Sequence, residues 1–331
     1  MSFFDGQFAK DTGKGKAGNT KEDIVNATKD RTLLAAGLIS IYAFIIGFTD
    51  NYVRVIADEA GLWQFHFTRS CMTAVLLGLG AVVLGWRIRP RNWRAVVARS
   101  AIHGSAMVIY FGALAFLDVA LVAAGLFTAP IWVLLISRFA YGHKIGPVRI
   151  IAVALGFVGV LLVLGPEAMN GASLAAVLPI VAGALYAMGN IATREWCEGE
   201  SAQTLLAGFF GALGIIGAVG MLALIFFPLE VPVGTDGFLQ RGPVWPSTEF
   251  YFWTFVQAAG SLIGVGFMIR AYQVTDAGRA SVLEYIILPA SAFWTWIVWG
   301  KGLEPLAVFG MVLIVAAGTM IALRARAQEA A

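Results

Sequence analysis

The sequence predicts an all-α polytopic membrane protein of ten transmembrane helices arranged as two inverted five-helix repeats. Three observations carry that reading. Hydrophobic residues make up 59% of the 331-residue chain and charged residues only 13%, with a mean hydropathy of +0.79. A soluble chain carries about 25% charged residues. The apolar residues fall into ten runs near 32–53, 62–85, 96–117, 119–137, 148–165, 172–193, 203–227, 249–271, 278–299 and 304–323, and about 20 apolar residues span a bilayer as a helix. The third observation is that the two halves echo each other, through a proline placed mid-span in the fourth and ninth runs.

The charges orient the spans. With the N-terminus inside, 19 of the 23 Lys and Arg lie on the inner side, while Arg54, Arg241 and Lys301 lie outside and Arg69 lies within a span. Basic residues collect on the cytoplasmic side of helical membrane proteins, so both termini are expected in the cytoplasm. The net charge of +3 follows from this bias and implies no nucleic-acid partner. Residues 1–31 are polar and read as a flexible cytoplasmic tail without the apolar core of a cleavable signal. The repeats are then 32–165 and 172–323, followed by a short cytoplasmic tail over 324–331. Cys71 in the second span and Cys197 in a loop are not expected to meet, and they form no spaced metal motif.

The repeat is visible in spacing. Pro130 is followed by glycines 12 and 29 residues on (Gly142, Gly159), and Pro289 by glycines 11 and 29 residues on (Gly300, Gly318). Five spans per half is an odd number, so the second half must enter the membrane inverted, as in many secondary transporters. Each proline removes a backbone donor and permits a kink. Pro130 and Pro289 are therefore the expected kink points.

On "QFHFTRSCMTAVLL", "TAPIWVLLISRFAYG", "YAMGNIATRE" and "LEYIILPASAFWTWIVWG", the chain resembles the EamA-type branch of the drug/metabolite transporter superfamily over about residues 32–323. The resemblance implies ten spans in two halves, prolines in spans four and nine, and transport of small metabolites. The chain departs from that pattern where a glutamate often follows the closing glycine: here stand Gly142-His143 and Gly300-Lys301. It also has a long outer loop, "PLEVPVGTDGFLQRGPVWPST".

An ionisable group inside a span costs about 3 kcal/mol and defaults to a functional reading. Glu284 is the leading candidate, about 9 Å from the inner boundary, with His103 at the same level. Around them the expected substrate-binding residues are Tyr285, Tyr110, Tyr186, Asn190, Trp132, Gln257 and Trp296. Helical spacing from 285 to 296 places Tyr285 and Trp296 on the face of Pro289. An aromatic wall beside a carboxylate suits an amine or quaternary ammonium group through cation–π contact, or an aromatic amino acid by stacking. Asp50, Asn51, His66 and Arg69 form a second polar layer towards the outside. Two further readings stand: Glu284 held by the positive start of the ninth helix, and Arg69–Asp50 as a structural pair.

The function expected is a secondary transporter in a bacterial inner membrane, moving a small organic metabolite of amino acid, amine or quaternary ammonium type by alternating access. The alternatives are a membrane-embedded enzyme or a non-transporting receptor subunit. No G-x-x-x-x-G-K-[ST], H-E-x-x-H, C-x-x-C or G-x-S-x-G motif occurs, so no cofactor or bound metal is expected, and the drive is a gradient with protons as the candidate coupling ion. The partners expected are the substrate and the lipid bilayer.

Overall fold

The computed structural model describes residues 21–330 except 115–116, 118, 166–174, 176, 301 and 303; residues 1–20 of the expected tail, and Lys301, lie outside the described residues. The described residues form thirteen α-helices. In order they are α1 (Lys21–Asp50), α2 (Val53–Glu59), α3 (Leu62–Val83), α4 (Trp93–Ala113), α5 (Val119–Leu126), α6 (Ala129–Phe139) and α7 (Pro147–Leu164). There follow α8 (Val177–Glu195), α9 (Ala202–Phe226), α10 (Thr248–Val274), α11 (Ala277–Leu283), α12 (Ile287–Trp299) and α13 (Pro305–Ala330). Together they supply ten helical spans long and apolar enough to cross a membrane, each within a few residues of a sequence-predicted run. Helix α1 begins at Lys21, ten residues ahead of its span.

Helix starts are set by short polar caps. Asn92 accepts from the Ala95 N–H at 3.3 Å ahead of α4, Ser201 from Thr204 at 3.1 Å ahead of α9, and Ser247 from Glu249 at 3.1 Å ahead of α10. Asp276 accepts from Gly278 at 2.9 Å at the start of α11. Each satisfies an N–H the first turn leaves open.

Three spans are discontinuous. Span one turns at Asn51–Tyr52 between α1 and α2. Span four breaks at Phe127–Thr128, immediately ahead of Pro130, and the Gly125 carbonyl is taken by the Thr128 hydroxyl at 2.6 Å. Span nine breaks through a 3-10 turn at Glu284–Ile286, ahead of Pro289. The helices that follow the prolines both run out near a glycine in the left-handed region, Gly142 (φ 68°) and Gly300 (φ 62°), a conformation that ends helices because it carries no Cβ penalty there. The spacing seen in the sequence thus records two helix breaks and two helix ends.

The principal pairings recur between the halves. α1 packs on α10 as α8 packs on α4, α1 on α12 as α8 on α5 and α6, and α3 on α10 as α9 on α4. The other two large pairings, α7 with α13 and α3 with α9, join equivalent spans. Close approach at these seams depends on glycine: a Cβ on Gly47 of α1 would sit 2.9 Å from the Ser291 backbone, and one on Gly183 of α8 would sit 2.7 Å from the Gly125 carbonyl. At the α7–α13 crossing the facing pair is Gly159 and Gly310, not Gly159 and Gly318. A Cβ on Gly159 would lie 2.7 Å from the Gly310 carbonyl oxygen, whereas one on Gly318 would meet only Leu283, at 3.7 Å.

Gly159→Ala is therefore expected to lower stability by about 1–3 kcal/mol, because backbone cannot yield as a side chain can, while Gly318→Ala stays close to neutral. Thermal unfolding of the detergent-solubilised protein, followed by Trp fluorescence, separates the two.

Candidate functional site

The spans surround a cavity of about 570 Å³ whose walls come from both halves: α1 to α7, then α8 to α12. Its lining is mainly apolar and aromatic, with polar groups gathered at two places. Such a ratio, with few convergent polar groups, is that of a small-molecule site.

The first polar group centres on Glu284, 7% exposed, at the break between α11 and α12. Its carboxylate accepts from the Tyr186 hydroxyl at 2.7 Å and from Asn190 Nδ2 at 3.4 Å, both on α8. Tyr186 also lies 3.0 Å from Met268 Sδ. The His103 ring lies 4.7 Å from that of Tyr186, tilted by 60°, and 5.1 Å from Phe209. Tyr186 thus stands between Glu284 and His103. Tyr42 of α1 and Tyr272 of α10 stand close to Glu284 and line the same cavity. The buried Asn190 Oδ1 and Tyr285 hydroxyl find no hydrogen-bond partner among the described residues.

The second group occupies the other end of α1. Asp50, eight residues or about 12 Å along the helix from Tyr42, accepts from Gln257 Nε2 at 2.9 Å, and Ser261 donates to Gln257 Oε1 at 3.2 Å. Asn51 holds the turn: its Nδ2 donates to the Gly47 carbonyl at 2.6 Å, and its Oδ1 accepts from Thr295 at 2.8 Å. Arg69, 4% exposed, has its Nη2 3.3 Å from His66 Nδ1, and its Nε has no partner. Three rings surround the guanidinium, Phe65 at 4.7 Å, Phe210 at 5.6 Å and Phe111 at 5.7 Å. Ring faces stabilise a desolvated cation. Asp50 and Arg69 do not form an ion pair: among the described residues the one salt bridge within 4.0 Å is Arg149–Asp276.

Of the residues singled out in the sequence, Glu284, Tyr285, His103, Tyr110, Tyr186, Asp50, Asn51, Arg69 and Pro130 line the cavity. Asn190, Gln257 and His66 stand behind, bonded to lining residues. Pro289 is half-buried one turn beyond Glu284. Trp132 is half-buried and packs against the main apolar core. Trp296 is 53% exposed on the outer surface and does not share a face with Tyr285. Tyr285 itself lies in the 3-10 turn Glu284–Ile286, so the α-helical spacing from which a shared face was counted does not run unbroken from 285 to 296.

Several residues were not anticipated. Tyr42, Tyr272, Ser291 and Thr295 line the cavity, and a tyrosine far inside an apolar run is the signal that could have found the first two. Arg99, counted with the loop charges, is fully buried in α4, donating from Nε to Thr193 Oγ1 at 3.0 Å and from Nη1 to the Leu205 carbonyl at 3.4 Å.

Ten spans around a polar-centred cavity suit a membrane transporter, and sequence comparison points the same way. Residues 33–165 match the EamA-like transporter family. The chain is 24% identical over 313 residues to an uncharacterized transporter of Helicobacter pylori, covering 91% of this chain and 98% of the relative. It is 23% identical to the pseudopaline exporter of Pseudomonas aeruginosa (86% and 95% covered) and 24% identical to the riboflavin transporter of Brucella anthropi (71% and 77% covered). A solved crystal structure shares the fold, with a TM-score of 0.69 and 18% identity over 90% of this chain and 99% of that one.

Tyr186→Phe removes the shortest hydrogen bond to the buried carboxylate. A buried acceptor deprived of its donor costs about 1–3 kcal/mol, so the variant should unfold at a lower temperature than wild type, in the same fluorescence assay.

Proposed function

We propose that the protein is a secondary transporter that carries a small organic metabolite bearing an ammonium group, of amino acid, amine or quaternary ammonium type, by alternating access. The observation that carries this reading is Glu284 at a helix break, facing a cavity built from both halves of the chain. A helix break inside a membrane protein is tolerated where it lines a cavity, and here it brings the carboxylate to the cavity. Tyr42, Tyr186, Tyr272 and Tyr285 offer ring faces for a cation beside it. Arg69, without a carboxylate partner of its own, stands near the other end and suits a substrate carboxylate, which favours amino-acid-like substrates within the class. The relatives named as an exporter and a transporter support small-molecule transport.

In this reading the halves 32–165 and 172–323 are inverted repeats, supported by the reciprocal pairings. Bending at the breaks before Pro130 and Pro289 opens the cavity to one side and then the other. Glu284 exchanges the substrate cation for a proton, which makes protons the coupling ion. The membrane is the bacterial inner membrane with both termini cytoplasmic, a reading supported by the order of spans and basic segments in the sequence, which puts 19 of the 23 Lys and Arg at or near the inner side.

The test is thermal unfolding against a panel of amino acids, amines, quaternary ammonium compounds and organic anions, on wild type and Glu284→Gln, followed by uptake into proteoliposomes of whichever compound stabilises. A ligand at a hundred times its Kd adds about 2.7 kcal/mol of stability. An ammonium compound should stabilise wild type, lose its effect in Glu284→Gln, and be transported. A compound that stabilises both proteins equally removes Glu284 from the site, and one that binds without being moved removes transport from the reading.

A further inference from the structure

Away from the central cavity, a second and smaller cleft of about 150 Å³ opens on the basic face, where α7, α11 and α13 come together. Four cationic side chains converge on it: Lys144 from the linker after α6, Arg149 from the first turn of α7, Arg279 from α11 and Arg324 from the end of the tenth span. Among the described side chains one carboxylate stands against them, Asp276, 3.0 Å from Arg149. Arg279 donates from Nη1 to Thr32 Oγ1 at 3.0 Å, which ties its guanidinium to α1. Among the described side chains the cleft is therefore lined by more cations than carboxylates.

Two further features point to an anion. Helix α7 starts at Pro147 with Gly146 as its cap, so no side chain takes up its first-turn N–H groups, and the Gly146–Arg149 segment lines the cleft. The N-terminus of an 18-residue helix adds its positive end to the four cations. Next in sequence to two lining residues stand exposed apolar side chains, Ile150 (55%) after Arg149 and Leu323 (57%) before Arg324, and Phe139 at the end of α6 is 82% exposed. Apolar side chains so exposed at the end of membrane spans face acyl chains. A basic cleft between spans, bordered by a lipid-facing surface, has the chemistry that binds acidic headgroups.

We propose that this cleft binds a phosphate group, presented by an anionic phospholipid whose headgroup sits between Lys144, Arg149, Arg279 and Arg324 while its acyl chains lie along Phe139, Ile150 and Leu323. The site is independent of the transport reading, since none of these residues lines the central cavity. It ties the lipid to α7, α11 and α13, and α11 leads directly to the break at Glu284.

The experiment titrates the full chain in neutral detergent with soluble short-chain phosphatidylglycerol, short-chain phosphatidylcholine or inorganic phosphate, at matched ionic strength because exposed charges are screened. The melting midpoint is read. Wild type is compared with Lys144→Gln/Arg324→Gln, whose two side chains are exposed, and with Arg87→Gln/Arg89→Gln, an exposed pair on another loop of the same face. Each basic side chain at a lipid headgroup is worth about a fivefold factor in affinity. The first double variant should bind phosphatidylglycerol about thirtyfold more weakly, and the second should match wild type. Stabilisation by phosphatidylglycerol beyond that by phosphatidylcholine identifies a lipid headgroup. Equal stabilisation by inorganic phosphate, lost in the same variant, supports the phosphate site and assigns its source to a free anion. If the three compounds act alike, or the Lys144/Arg324 variant binds as wild type does, the proposal is overturned.

Discussion

A carboxylate held inside a lipid-facing bundle governs much of this architecture. Every polar group there must be satisfied within the protein, because hydrocarbon offers no partner. The chain meets that demand for Glu284 by interrupting span nine where the carboxylate stands and setting Tyr186 and Asn190 of α8 against it. α8 can reach this position only because it packs closely on span four, where Gly183 lies against the Gly125 backbone. Local helix chemistry, a glycine seam and the polar centre are thus one connected arrangement.

The two ends of the cavity handle charge by different physical means. At Glu284, hydroxyl and amide donors surround the group. At Arg69, ring faces and one histidine do so, and Asp50 is turned to Gln257 instead. A fully matched ion pair would leave neither charge open to a ligand. Keeping Asp50 and Arg69 out of direct contact leaves the guanidinium's Nε without a partner.

Most of the fold was legible because lipid makes the sequence periodic on a coarse scale: ten runs became ten spans. The prolines were legible too, and the structure gives their role as the start of the second segment of each broken span. Other features were hidden for definite reasons. Tyr285 sits in a 3-10 turn and not in a continuous α-helix, so α-helical spacing counted from it placed Trp296 on a face it does not occupy. Tyr42 and Tyr272 look apolar in a hydropathy reading although their hydroxyls stand near a carboxylate. Arg99 resembled a loop charge because it follows an arginine-rich linker, yet its partners, Thr193 and Leu205, come from α8 and α9, more than 90 residues away. A one-dimensional pattern gives depth and composition; it does not give the neighbour across a helix seam.

The two broken spans differ in one respect with a wider consequence. Glu284 lies five residues before Pro289, and the residue five before Pro130 is Gly125. A Cβ at Gly125 would meet the Pro179 backbone at 2.7 Å, so no side chain fits there at all. Of the two proline-bearing spans, one break thus carries an acid and the other is reduced to bare backbone. The cavity wall is therefore chemically lopsided: a carboxylate faces it from the break in span nine, and the matching position in span four serves only to let two helices touch.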